Sequence, residues 1–248
     1  MNPRATLAAV LASHGDRGGA SPNAALKAQA DAVRALTGIH IAIGMLKGDP
    51  TVEQAVADAA ATGATRLAVY PLFMADGYFV QKVRDRIGAI GLPPEPQILT
   101  PLGLAPELTD VVVEEALATA AAAGFDAARS RLLVVGHGSK LGPASATATR
   151  RAAARAALAR RFASVATAFL EEEPFVEDAL RASTAPTVVA GFFFGDGMHA
   201  GEDVPDAIAE TGANAVYTGA IGNSPAVAPL IAAALMAAIP HRDGSKQS

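Results

Sequence analysis

Leu132-Leu133-Val134-Val135-Gly136-His137-Gly138-Ser139 is the stretch whose reading decides the fold. Its first four residues are apolar without alternation, the pattern of a parallel-sheet strand covered on both faces. Two glycines then flank a histidine. Glycine lets the chain turn sharply and lets backbone approach a ligand closely. His137 therefore stands just beyond the carboxyl end of a strand, where open α/β sheets bind their ligands.

Working outward, strand and helix patterns alternate. After the strand Arg131 to Gly136 come a helix (Ala144 to Arg161), a strand (Ser164 to Leu170) and a helix from Pro174 to about Ala182. A strand (Thr187 to Phe194), a helix (about Glu202 to Thr211), a short strand (Ala215 to Thr218) and a helix (Pro225 to Ile239) complete this half. Upstream, Ala5 to Ser13, Ile39 to Leu46, Thr65 to Phe73 and Gln97 to Thr100 read as strands. Helices are expected over Ala24 to Leu36, from Asp49-Pro50 to Gly63, from Asp76-Gly77 to about Ile87, and over Pro106 to Ala123. Aspartate suits an N-cap and proline the first helical position, so Asp49-Pro50 and Glu173-Pro174 are both taken as helix starts. The expected fold class is α/β, with parallel sheets flanked by helices.

The halves repeat. His14-Gly15 returns as His137-Gly138, Pro50 as Pro174, Asp76-Gly77 as Asp196-Gly197, and Pro106 as Pro225, in one order and at nearly constant spacing. A tandem duplication follows. Two lobes are expected, 1–124 and 125–248, each a four-stranded parallel sheet, related by a pseudo-two-fold axis. The polar tail from His241 is expected to fray.

Composition excludes several classes. Net charge is −4, which argues against nucleic-acid binding. There are no cysteines, so disulfides, thiolate metal sites, iron–sulfur clusters and a cysteine nucleophile are ruled out. Hydrophobic residues make up 51% and charged residues 18%, enough apolar matter for one or two cores. No apolar run reaches the roughly 18 residues of a membrane span. A cytoplasmic protein, monomer or homodimer, without membrane or nucleic-acid partners, is expected.

The differences between the halves carry the chemistry. After the second strand Lys47 stands where Glu171 stands; after the third, Phe79 stands where His199 stands. The second half thus places His137, Glu171 and His199 at the ends of three successive strands, while the first keeps only His14. Two histidines and a carboxylate can bind Fe²⁺, Co²⁺, Ni²⁺ or Zn²⁺, and can exchange protons near neutral pH. The glycines from Gly15 to Gly19 lack a Walker lysine, and Ser139 lacks the flanking pattern of a nucleophile elbow. Phe192-Phe193-Phe194 is read as core, with its last ring toward the cleft.

Gly136-His137-Gly138-Ser139, Phe169-Leu170-Glu171 ahead of Pro174, and His199-Ala200-Gly201-Glu202-Asp203-Val204-Pro205 together resemble the sirohydrochlorin cobaltochelatase/ferrochelatase family, the class II tetrapyrrole chelatases. The first half resembles the degenerate copy of double-length members. The resemblance implies insertion of Co²⁺ or Fe²⁺ into sirohydrochlorin, in cobalamin or sirohaem biosynthesis. It implies His137 and His199 as metal ligands, with Glu171 assisting catalysis. The metal, including Ni²⁺ as a further candidate, is then a substrate and no cofactor is permanently bound. Sirohydrochlorin is flat and carries eight carboxylates. His14, Arg17, Lys47, Phe79, Ser139 and Lys140 are the expected residues for holding it, the cations meeting carboxylates and Phe79 a ring face. Two other readings stay open on the residues alone: a non-catalytic tetrapyrrole or metal carrier, and a two-lobed small-ligand binder without metal chemistry.

Overall fold

The computed structural model describes residues 6–15, 23–140, 142–195, 197 and 199–238, with His199 described in its backbone only. Asp196 and the tail from His241 lie outside the described residues. The first half runs β1 (Leu7–Ser13), α1 (Ala24–Thr37), β2 (His40–Met45), α2 (Val52–Ala61), β3 (Arg66–Pro71), α3 (Tyr78–Ile90), β4 (Gln97–Ile98) and α4 (Pro106–Ala122). The second runs β5 (Arg131–Gly136), α5 (Ala144–Leu158), β6 (Ser164–Phe169), α6 (Val176–Arg181), β7 (Thr187–Gly191), α7 (Val204–Thr211), β8 (Ala215–Ala220) and α8 (Val227–Ala237).

Each half forms a parallel four-stranded sheet, ordered β2-β1-β3-β4 and β6-β5-β7-β8. The first strand of each half is therefore central, with every residue buried in both β1 and β5. That is why these two strands read as unbroken apolar runs. Pairing sets the register of the site: Ser13 lies opposite Met45, and Gly136 opposite Phe169.

The pleat divides the side chains of the central strands between different cores. Ala8, Val10 and Ala12 pack with Val52, Val56, Val83 and Ile87 of α2 and α3. Leu133 and Val135 pack with Val176, Leu180 and Val204 of α6 and α7. The alternate residues, Leu7, Ala9 and Leu11 of β1 and Leu132 and Val134 of β5, enter one core common to both halves. There the last helix of each half crosses over: α4 packs against α5, β7 and β8, and α8 packs against α1 and β3. Division of the sequence near residue 124 marks the repeat, but the packing is shared across it. Buried Gln29 on α1 adds a polar tie, its amide donating to the carbonyls of Gly222 and Ser224, each at 2.9 Å. Arg155 of α5 and Arg161 just after it meet Asp110 and Glu114 of α4 at 3.0 and 3.3 Å.

Two helix starts differ from expectation for one reason. The Asp49-Pro50 and Glu173-Pro174 peptides are cis, and each proline carbonyl accepts the N–H of the last residue of the preceding strand, Met45 at 3.0 Å and Phe169 at 2.9 Å. The prolines thus extend the sheet edge instead of opening a helix. α2 begins only after Thr51, which forms a capping box with Gln54. α6 begins after Phe175, so the acidic residues of its first turn are Glu177 and Asp178, not Glu173. Phe192 and Phe193 are buried as expected, while Phe194 packs half-buried against the shared core.

Candidate functional site

Beyond β5 and β6 the backbone ladder continues for two further hydrogen bonds. Leu170 N–H donates to the Gly136 carbonyl at 3.3 Å and Glu171 N–H to the His137 carbonyl at 2.9 Å. This brings Glu171 beside His137. The flanking glycines are explained by crowding. A Cβ at Gly136 would lie 2.1 Å from Thr149 Oγ1 on α5, and one at Gly138 would lie 2.9 Å from Glu172 Cγ. Gly138 also has φ +73°, a left-handed conformation costly for other residues.

His137 Nδ1 lies 3.2 Å from the Gly138 carbonyl. A carbonyl can only accept, so Nδ1 carries the proton in that bond, and the lone pair of the neutral ring lies on Nε2. Glu171 Oε2 is 3.8 Å from the same Nδ1, within reach to stabilise an imidazolium. The side chains are 38% and 42% exposed, so the pair is open to a ligand. Its neighbour Glu172 turns the other way, to Arg150 Nη2 at 3.5 Å, and the Arg150 guanidinium lies over the Phe169 ring at 4.8 Å. Of the three adjacent glutamates, only Glu171 is paired with the histidine among the described residues.

The first half repeats the backbone and changes the side chains. Leu46 N–H donates to Ser13 at 3.0 Å and Lys47 N–H to the His14 carbonyl at 2.8 Å. His14 Nδ1 lies 3.1 Å from the Gly15 carbonyl. Gly15 is left-handed, φ +88°, and a Cβ there would meet the Lys47 carbonyl oxygen at 1.8 Å. The equivalent backbone frame holds a cationic, aromatic site. Phe79 meets His14 edge-on, centroids 4.7 Å apart, and lies nearly parallel to Phe73 at 6.2 Å. Tyr78 packs on Phe79 at 5.4 Å, with Lys82 Nζ 4.5 Å from the Tyr78 ring centre. Tyr78 and Phe79 are exposed. Tyr78, Phe73 and Lys82 were not among the residues the sequence marked. The adjacent aromatics directly after Gly77 were the available signal.

The remaining candidates fall as follows. Lys47 and Lys140 are exposed, and Ser139 is half-buried, in the loops after the sheets. Arg17 lies outside the described residues. His199 opens a π-helical turn, His199–Asp203, after β7 and ahead of α7. Among the described residues, which do not include the His199 ring, no three His, Asp or Glu side chains converge as a metal cluster. The two sets of loops meet across the lobes at Gly77, where a Cβ would lie 3.2 Å from Ala144 Cβ at the start of α5. Near this junction Asp76 is held by Arg84 through two hydrogen bonds of 2.7 and 2.9 Å, which lower the Asp76 pKa.

Two tandem parallel sheets with strand-end sites define the class, a chelatase-like α/β protein, and solved structures agree. The structure of "CbiX, the terminal Enzyme for Biosynthesis of Siroheme in Denitrifying Bacteria" is similar at 29% identity and TM-score 0.78, covering 94% of this chain and 100% of that one. SirB from Bacillus subtilis with Fe³⁺ gives 17% identity and TM-score 0.80, covering 97% and 98%. A protein from Deinococcus radiodurans described as structurally similar to chelatases gives 20% and 0.77, covering 98% of this chain and 56% of that one. The CbiX family model matches twice, over residues 8–119 and 131–238, and the chain belongs to that family. No curated protein sequence matches it. Among the described residues no helix is long and apolar enough to cross a membrane.

Proposed function

We propose that this protein inserts a divalent metal, Co²⁺ or Fe²⁺, into sirohydrochlorin, with the metal as substrate. The observation that carries the reading is the pairing of His137 with Glu171 at 3.8 Å, on a frame whose first-half counterpart carries His14 and Lys47. Family membership over both halves supports it, as does the likeness to a CbiX described as a terminal enzyme of sirohaem biosynthesis. Similar folds have been solved with Fe³⁺ and with cobalt, the latter as a sirohydrochlorin chelatase.

Insertion replaces two pyrrole N–H protons by one M²⁺, so the site must present a metal and accept two protons. In this reading His137, through Nε2, and His199 hold the incoming metal facing the ring. Imidazole suits these ions without the tight grip of a thiolate cage. Glu171 is the nearby carboxylate for a proton released from the macrocycle, and it stabilises a protonated His137. The first half holds most of the substrate, Phe79 against the ring face with His14 beside it and Arg17 and Lys47 for its carboxylates, while Ser139 and Lys140 of the second half serve further carboxylates.

Anaerobic insertion assays with Fe²⁺, Co²⁺ and Ni²⁺ in parallel test this. Wild type should give multiple turnovers of metallated product, and His137→Ala and His199→Ala should give none above background. Product limited to one equivalent per chain would make the protein a carrier and refute the enzyme reading.

A further inference from the structure

α3 and α7 occupy matching places after the third strand of each half, and their far ends coincide. Both close on a left-handed glycine, Gly91 at φ +64° and Gly212 at φ +60°. Traced back from these glycines at a spacing of 121, Ile87 meets Ile208 and Val83 meets Val204; both valines are fully buried, and the burial pattern differs only where Ile87 is buried and Ile208 half-buried, with Ala207 buried beside it. One turn earlier the spacing changes. Val80 and Ala200, also buried, are 120 positions apart. Two exposed residues, Gln81 and Lys82, separate the first pair; three, Gly201, Glu202 and Asp203, separate the second. The second half therefore carries one extra residue between Ala200 and Val204.

An extra residue in an α-helix rotates everything on one side of it by about 100°, which would carry one of these buried faces out to solvent. Here the addition is absorbed by the π-helical turn His199–Asp203, and Ala200 and Val204 both stay in the core. A single π turn of this kind accommodates one extra residue within a helix, and such turns are frequent at functional sites. The first half shows that the fold accepts an ordinary α turn here, with Phe79 on it. Pro205, the residue matching Arg84, also lacks the donor that ties Asp76 to α3. The wide turn and the histidine occur in the same half and start at the same residue.

We propose that the extra residue in 201–203 is a positioning insertion: the π turn it creates sets the backbone from which His199 is presented for metal handling, and takes no part in holding the macrocycle. This rests on the chelatase reading of the same site. The test replaces Ala200-Gly201-Glu202-Asp203 by Val-Gln-Lys, the first-half sequence, leaving His199 and Val204 in place. The shortened protein should unfold near the wild-type temperature and bind sirohydrochlorin with unchanged affinity, read from the pigment's absorbance. Its kcat for Co²⁺ insertion should fall by about a hundredfold, as expected for a reacting group displaced by an ångström. The length-preserving variants Glu202→Ala and Asp203→Asn should turn over at the wild-type rate.

Near-normal turnover in the shortened protein overturns the proposal. Loss of its fold or of its macrocycle affinity does so too, because the turn would then be structural. If either length-preserving variant is as inactive as the shortened protein, carboxylate chemistry and not length is responsible, and the proposal fails. His199→Ala, run alongside, separates the two levels. Wild type limited to one equivalent of product sinks the chelatase reading, an active His199→Ala variant sinks the metal-handling role of His199 and the proposal with it, and an inactive one beside an active shortened protein sinks only the positioning role.

Discussion

Lys47 and Glu171 occupy the same place on the same frame, each donating its backbone N–H to the preceding strand-end histidine. An ammonium has no lone pair for a metal at neutral pH, whereas it can pair with a substrate carboxylate. Such charge-assisted contacts are typically worth about 1.5–3 kcal/mol. Lys47→Ala is thus expected to raise KM for sirohydrochlorin by roughly tenfold to a hundredfold, with kcat little changed. Glu171→Gln, which keeps the shape and removes the base, is expected to lower kcat and leave KM nearly alone. Steady-state kinetics at saturating metal check both. A Lys47→Ala enzyme that is dead at saturating sirohydrochlorin, beside a silent Glu171→Gln, would reverse the assignment of the halves. At this scale the sequence was most informative where a residue type is dictated by backbone. Gly15 beside His14 and Gly136 and Gly138 around His137 were legible because a larger residue is crowded out there. The Tyr78–Lys82 contact and the Arg150–Glu172 pair were not legible, since both depend on side chains from separate turns or elements meeting in space.

At the scale of the element, α3 is tied to the loop before it by Asp76 and Arg84. The hydrogen bonds from Arg84 hold the Asp76 carboxyl below its usual range, while partial burial opposes the shift. A carboxylate whose folded-state pKa is lowered adds stability above its unfolded value, and that stability disappears as pH falls through the folded value. Wild type should therefore melt slightly above Asp76→Asn at neutral pH, and the two should converge in acid. The difference will be small, because both side chains are more than a third exposed. Thermal melts of the pair across acid to neutral pH read this, and a gap that persists below the carboxylate range would contradict it. The element types and order were legible from apolar runs and turn residues. The starts of α2 and α6 were not: proline favours a first helical position in general, but these prolines lend their carbonyls to the sheet edge. Thr51 and Gln54 spell a capping box, and that signal in the sequence outranked Asp49-Pro50.

For the whole molecule, the repeat was legible as spaced landmarks, and the two equivalent sheets followed from it. The exchange of α4 and α8 was not, because periodicity shows that a helix has an apolar face without showing which sheet covers it. A half-length chain, 1–124 or 125–248, would lack the helix that covers its inner face. It should associate with a second copy and exchange last helices, since uncovered apolar faces of this size drive association. Light scattering after size exclusion should give the mass of a dimer for such a chain. A stable, fully folded monomer would show that the shared core is dispensable.

The same exchange orders events during synthesis. β1, α1, β2 and β3 leave the ribosome early, yet the inner face of their sheet is closed by α8, which is made only after the strands of the second half. Gln29 likewise waits for Gly222 and Ser224. The outer core with α2 and α3 can form on the nascent chain, but the first lobe cannot finish before the second. A stalled chain lacking α8 should keep its N-terminal half open to protease, however long it is given to fold.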